Sequence, residues 1–323
     1  SDTFLYAFIV AATNTVIVSV MGIILATMLG ILVGISSIST NWIMRKIALV
    51  YIEVFRNIPL LVHLFFWFYV VLELPPIREG YILAQRVYIN NGGLSFPWLT
   101  PNSYSLALTW VSLVTVIFVF CFSINRWLAG RLVRRNYLSH PILLGLLTSL
   151  IIGTLSWVIM SVVNGEPPFL VSVPEPQGAF GRIEGGLTLP GGLVALLIGL
   201  VTYTAAFIAE IVRAGIQSVA KGQIEASRAV GLSAASTLRN VTLPQALRVI
   251  VPPLISQYLN LTKNSSLAGA IGYSDLTNVA KTMTQTAPAV SIFILIMATY
   301  LAMSLTYSVI GNLYNRHIRF TGG

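Results

Sequence analysis

An all-α integral membrane protein is the fold class this sequence predicts, on three observations. Of 323 residues, 56% are hydrophobic and only 9% charged, against about 25% charged in a soluble domain. The mean hydropathy is +0.83. Apolar runs long enough to cross a bilayer recur along the chain, and backbone groups in hydrocarbon have no water partner, so such runs have to be helices.

A hydrocarbon core of about 30 Å needs about 20 helical residues. Seven runs qualify: Phe4 to Ile35, Ile47 to Leu72, Tyr104 to Ile124, Pro141 to Val163, Leu193 to Val212, Pro244 to Thr262 and Val290 to Leu313. The chain opens on Ser1 rather than Met, which suggests a processed or trimmed start. Its first apolar run has no basic leader and is too long for a signal peptide.

Formal net charge is +9, which in a soluble protein would raise nucleic acid as a partner. Position decides against it. With the N-terminus outside, Arg45, Lys46, Arg126, Arg131, Arg134, Arg135, Arg213, Lys221, Arg228, Arg239, Arg248, Arg316 and Arg319 share one side. Arg78, Arg86 and Arg182 take the other, while Arg56, Lys263 and Lys281 lie in or beside spans. That bias puts the main basic loops in the cytoplasm. Basic residues spread over separate loops, with no aromatic-interleaved face, exclude nucleic-acid binding. Cys121 is the single cysteine and the three histidines are dispersed, so no disulfide, redox pair or metal site is expected.

Gly22, Ala26, Gly30 and Gly34 in the first span, and Gly145, Ser149 and Gly153 in the fourth, put small residues at every fourth position. Such a ridge lets another helix approach closely, and for the four-member one that packing is the expectation over the mere abundance of Gly and Ala in membrane helices. Between spans, Leu74 to Asn102 carries Asn91 and Gly92, suited to the positive φ of a hairpin between short extended arms. Asn164 to Gly192 is rich in proline and glycine and reads as an ordered or semi-rigid loop with no helix of its own.

The stretch KGQIEASRAVGLSAASTLRNVTLPQALR, Lys221 to Arg248, is modestly polar and Ala-rich. Ile224 to Val230 allows only a couple of helical turns before Gly231, placed for a left-handed helix end. Ser233 is an N-cap for a second short helix to about Asn240, and Pro244 suits the first turn of the next span. A shallow helix, bend and helix fits a groove on another protein better than a lipid surface, where bulky apolar residues would be expected.

Glu225, Ala226, Ser227, then Gly231, then Val241, Thr242, Leu243 and Pro244 resemble, at matching spacing, the cytoplasmic loop signature of ABC importer permeases. Ser227 stands for the third Ala of that signature and Val241 for its Ile. YIEVFRNIPLLVHLFFWF (Tyr51 to Phe68), YTAAFIAEIVRAGIQSVAKGQ (Tyr203 to Gln223) and NLTKNSSLAGAIGYSDL (Asn260 to Leu276) are similar to segments of the polar amino-acid uptake branch. Within it the wording is most like the general L-amino-acid permeases of the Aap, Bzt and Nat type.

The resemblance implies a type I importer transmembrane domain over residues 1–323. A five-span core (1–73 and 193–318) would carry a two-span insertion (74–192) and a coupling segment (217–243). It further implies a multi-pass protein of the bacterial inner membrane, forming half of an amino-acid translocation path by alternating access. The implied partners are an ABC ATPase dimer, a second and different homologous permease, an extracytoplasmic amino-acid-binding protein and the lipid bilayer. Glu225, Ala226, Ser227, Gly231, Leu243 and Pro244 would couple to the ATPase. This chain has no GxxxxGK[ST], so it cannot cradle phosphates itself; it holds no cofactor, and ATP and Mg belong to the ATPase.

No catalytic residues are expected. Glu53 with Arg56, Glu210 with Arg213 and Glu225 with Arg228 are neighbours at i and i+3. They neutralise each other near span ends, a structural role, with a cytoplasmic gate as the other reading for the first two. An amino-acid substrate brings one carboxylate and one ammonium. The candidates for its path are Asn14, Asn260, Lys263, Asn264, Ser265 and Ser266, with Lys263 the natural carboxylate partner or else a snorkelling residue. An ion-gradient-driven transporter is the alternative, but such folds usually show repeated halves, and none is evident. A membrane enzyme has no support, since the arginine neighbours of Glu53 and Glu210 already explain both acids.

Overall fold

The computed structural model describes residues 2–84, 86–132, 141–177 and 182–320; Arg134 and Arg135 fall outside them. The helices are α1 (Asp2–Ser36), α2 (Trp42–Asn57), α3 (Leu60–Leu72), α4 (Tyr104–Leu132), α5 (Pro141–Asn164), α6 (Gly191–Gln217), α7 (Lys221–Ala229), α8 (Ala234–Thr237), α9 (Leu243–Asn264), α10 (Leu276–Met283) and α11 (Ala289–Phe320). Short strands are β1 (Tyr81–Leu83), β2 (Val87–Asn90), β3 (Gly93–Phe96), β4 (Trp98–Pro101), β5 (Phe169–Ser172), β6 (Glu175–Gln177), β7 (Arg182–Glu184) and β8 (Leu187–Pro190). The chain divides into two compact units, one of Ser1–Pro76, Asn90–Gly93 and Leu189–Gly323, the other of Ile77–Ile89 and Leu94–Thr188.

Among the described residues five helices are long and apolar enough to cross a membrane: Phe4–Ser36, Tyr104–Ile124, Leu146–Asn164, Gly191–Gln217 and Ala289–Leu313. The expected second span is broken. Its halves, α2 and α3, meet at 107°, because Pro59 forces Ile58 out of the helical region to φ −96°, ψ 132°. The expected sixth span forms as the 22-residue α9, but Arg248, Gln257, Asn260 and Lys263 keep it less apolar than the other five. By length and apolarity the seven expected spans are therefore five, or six with the bent pair counted as one.

In the first unit α6 is the hub. Its Leu196, Leu197 and Leu200 pack with Leu60 and Leu64 of α3 and Val18 of α1; further along, Ala205, Ile208 and Val212 pack with Ala26, Ala246 and Ile250. Burying apolar area gains little in lipid, so close backbone packing must supply the association. The glycines allow it. A Cβ on Gly30 would lie 2.6 Å from Ile208 Cβ, and one on Gly34 would lie 2.8 Å from the Ala209 carbonyl and from Val212 Cβ. Gly30 and Gly34 of the ridge predicted on α1 thus dock on α6, while Gly22 faces Leu261 of α9, and Gly199 and Gly215 admit Leu64 and Ile250 in the same way.

In the second unit α4 packs on α5. Gly153 of α5 is looser there, since a Cβ on it would meet Val114 only at 3.8 Å, an ordinary contact, and the surroundings of Gly145 lie outside the described residues. Antiparallel pairs join β1 to β2, β4 to β5 and β6 to β7, so the Asn164 to Gly192 stretch holds strands where a loop is expected. The hairpin turn falls at Asn91 and Gly92 as predicted. The positive φ belongs instead to Gly93, at 134°, where a Cβ would strike the Leu189 carbonyl.

Candidate functional site

Lys221 to Pro244 leaves the bundle as an exposed helix, bend and helix. Gly231 has φ +86°. Its N–H donates to Arg228 O at 2.9 Å, and Leu232 N–H donates to Ser227 O at 3.1 Å, the two bonds of a Schellman end. Ser233 Oγ accepts from Ser236 N–H at 3.3 Å as the N-cap of α8. Ser227 and Thr237 are both buried, with their hydroxyl oxygens 3.0 Å apart, so they pin α7 to α8 from inside. Glu225, Ala226, Gly231, Leu243 and Pro244 are exposed. Val230 is 82% exposed and Leu232 37%, leaving two apolar side chains at the bend uncovered.

The second short helix does not stop near Asn240. It passes through a π turn, Leu238–Thr242, straight into α9, with Leu243 N–H donating to Leu238 O. Pro244 accounts for this. It has no N–H for the carbonyl four residues back and its ring crowds that carbonyl, so the turn before it widens. From Ala234 onward the segment is therefore continuous with α9.

At the elbow between α2 and α3, Arg213 grips Glu210 through two bonds, Nη2 to Oε1 at 2.6 Å and Nε to Oε2 at 3.0 Å. Arg56 Nη1 lies 3.9 Å from the same Glu210, and its guanidinium sits 5.4 Å from the Phe207 ring centroid. The expected pairing of Glu53 with Arg56 is not what forms. Glu53 Oε2 accepts from Asn57 Nδ2 at 3.2 Å, because α6 offers Arg56 a carboxylate across the helix contact. Among the described residues the ion pairs are those two to Glu210, and Glu225 and Arg228 both stand exposed.

Of the predicted path residues, Asn14 donates from Nδ2 to Ser274 O at 3.0 Å. Asn260 and Lys263 are exposed, Asn264 and Ser266 half-buried and Ser265 buried. Ser265 and Ser266 donate from Oγ to Thr262 O and Lys263 O, both at 2.7 Å, capping the end of α9. Sequence reasoning passed over Asp275, which is 1% exposed. Its Oδ1 accepts from Asn278 N–H at 2.8 Å as the N-cap of α10, while Oδ2 is buried without a hydrogen-bond partner. Burial raises its carboxyl above the ordinary value. Beside it Leu276 N–H donates to Thr15 Oγ1 at 3.1 Å, and the Thr277 and Tyr300 hydroxyls lie 3.3 Å apart. Asp before an apolar run is an N-cap signal that was legible; its burial was not.

Among the described residues the protein is thus a bundle of long apolar helices that holds out an exposed bent segment. Residues 22–320 match the family described as binding-protein-dependent transport system inner membrane component, and the chain belongs to that family. It is 42% identical, over 97% of its length and 77% of the relative's, to the general L-amino acid transport system permease protein AapQ of Rhizobium johnstonii. It is 36% identical, over 87% of its length and 72% of the relative's, to the glutamate/glutamine/aspartate/asparagine transport system permease protein BztB of Rhodobacter capsulatus. In fold it resembles a chain from a solved amino acid ABC transporter, with a TM-score of 0.55 and 20% identity over 98% of this chain and 95% of that one. The protein is thus a multi-pass inner-membrane permease with the type I importer fold, a non-catalytic subunit whose ATPase is a separate partner. The ion-gradient alternative is not supported.

Proposed function

We propose that this chain forms half of the translocation path of an ATP-driven amino-acid importer and takes its power stroke through Glu225 to Pro244. The exposed Schellman bend at Gly231 is the observation that carries the reading. It presents Val230 and Leu232 on the surface, and a Cβ added at Gly231 would meet nothing within 4 Å, so the bend is free to enter a groove. Glu225, Ala226, Gly231, Leu243 and Pro244 face the ATPase, with Ser227 bracing them from within. The main basic loops are cytoplasmic, and an ATPase pair closing on ATP and Mg moves the segment with α9 as one lever. A second permease completes the path, and a binding protein delivers substrate from outside. The relatives' names support amino acids as the cargo. Of the path candidates Lys263, exposed near the end of α9, suits the substrate carboxylate.

The test is Gly231→Val. A β-branched residue at φ +86° costs about 1 to 2 kcal/mol, enough to change the bend while leaving the bundle alone. The variant is expected to insert normally, to lose association with the ATPase and to abolish uptake. Unchanged transport would overturn the docking role.

A further inference from the structure

We propose that Arg56 is a two-position latch that exchanges carboxylates, Glu210 on α6 for Glu53 on its own helix, and so sets the elbow between α2 and α3. Glu210 is already held by two short bonds from Arg213, so the longer 3.9 Å contact to Arg56 can open without stranding the acid. Arg56 has somewhere to go. Glu53 stands three residues before it, exposed and accepting from the amide of Asn57 at 3.2 Å, and at i and i+3 the two side chains are neighbours. Arg56 is neutralised in either position, so neither end state leaves a lone charge beside the membrane.

The position gives the exchange leverage. Arg56 is the residue before the last of α2, and the 107° break follows at once. Behind it runs a pivot of rings from three helices: Phe55 to His63 at 5.1 Å, His63 to Tyr203 at 5.8 Å and Tyr203 to Phe207 at 5.0 Å. Tyr51 anchors the same turn of α2, donating to Thr202 O at 2.7 Å. Rings can slide where a buried hydrogen-bond ladder could not. With Arg56 on Glu210, the end of α2 is clamped to α6; with Arg56 on Glu53, the Tyr51 bond to Thr202 O still ties the two helices, and α2 swings about Ile58 and Pro59 as that bond opens.

Spin labels at Lys46→Cys and Gln217→Cys, both exposed sites, in a Cys121→Ser background report the separation of α2 from α6. The full chain in lipid nanodiscs is measured by pulsed dipolar spectroscopy, and no partner subunit is needed, so the result stands apart from the docking assignment. Arg56→Gln, which spares the bond between Glu210 and Arg213, is expected to shift the distribution to longer distance. Glu53→Gln removes the alternative acceptor and is expected to do the opposite, losing any long component. If both substitutions leave the distribution unchanged, or move it in the same direction, the latch is wrong. Should Arg56→Gln fail to fold, the Glu53→Gln arm decides alone: no loss of long distances overturns the proposal.

Discussion

At Asp275 a carboxylic acid is buried to within 1% of full coverage, and only one of its oxygens is spent on capping α10. Burial without a counter-ion disfavours the charged form and raises its pKa above 3.8. The sign of the linkage follows. With the folded value above the unfolded one, its contribution to stability is fully present below the ordinary carboxylate range and is lost as pH rises through the raised value. Asp275→Asn keeps an oxygen for the cap and removes the titration. Thermal unfolding in detergent should show the wild type losing ground to this variant as pH rises from about 4; parallel pH profiles would mean the carboxyl is stabilised in the fold by something other than what surrounds it here. Gly231 is the contrasting residue. Its φ was predictable from its place between a short helix and an N-cap serine, because three bonds within a few residues fix it.

Among the elements, α1 and α5 carry the same small-residue pattern, and Gly34 of the one and Gly153 of the other meet their neighbours in opposite ways. Gly34→Ala drives a methyl to 2.8 Å from a backbone carbonyl of α6, and neither backbone can yield cheaply. It should destabilise by about 1 to 3 kcal/mol. Gly153→Ala puts the same methyl at ordinary contact distance from Val114 and should gain most of the roughly 1 kcal/mol by which Ala is the better helix former. Thermal midpoints of the two variants moving in the same direction would refute this division. The pattern was visible in the sequence for both helices; which one pressed it against a backbone was not. The elbow has the reverse history. Pro59 stood in plain view inside an apolar run, and hydrophobic length alone passed over the local steric rule that bends the chain at Ile58.

For the molecule as a whole, the family places the energy source in a separate ATPase. The purified chain should hydrolyse no ATP, and the complex with its ATPase should hydrolyse it faster when both amino acid and binding protein are added. Turnover by the chain alone would contradict the subunit assignment. Membrane class, the main helices, the bend at Gly231 and the family signature were all determined by the sequence by itself. Each depends on composition, helical period or contacts within a few residues, which neighbouring side chains settle between themselves. Tertiary structure alone decided that Arg56 meets Glu210 rather than Glu53, that Asp275 is covered beside Asn14 and Thr15, and that Gly34 rather than Gly153 is pressed against a backbone. A local rule cannot choose between two carboxylates that are both within reach of one arginine; the choice is made when α2 packs on α6, where Tyr51 donates to Thr202 O and Glu210 comes within reach of Arg56.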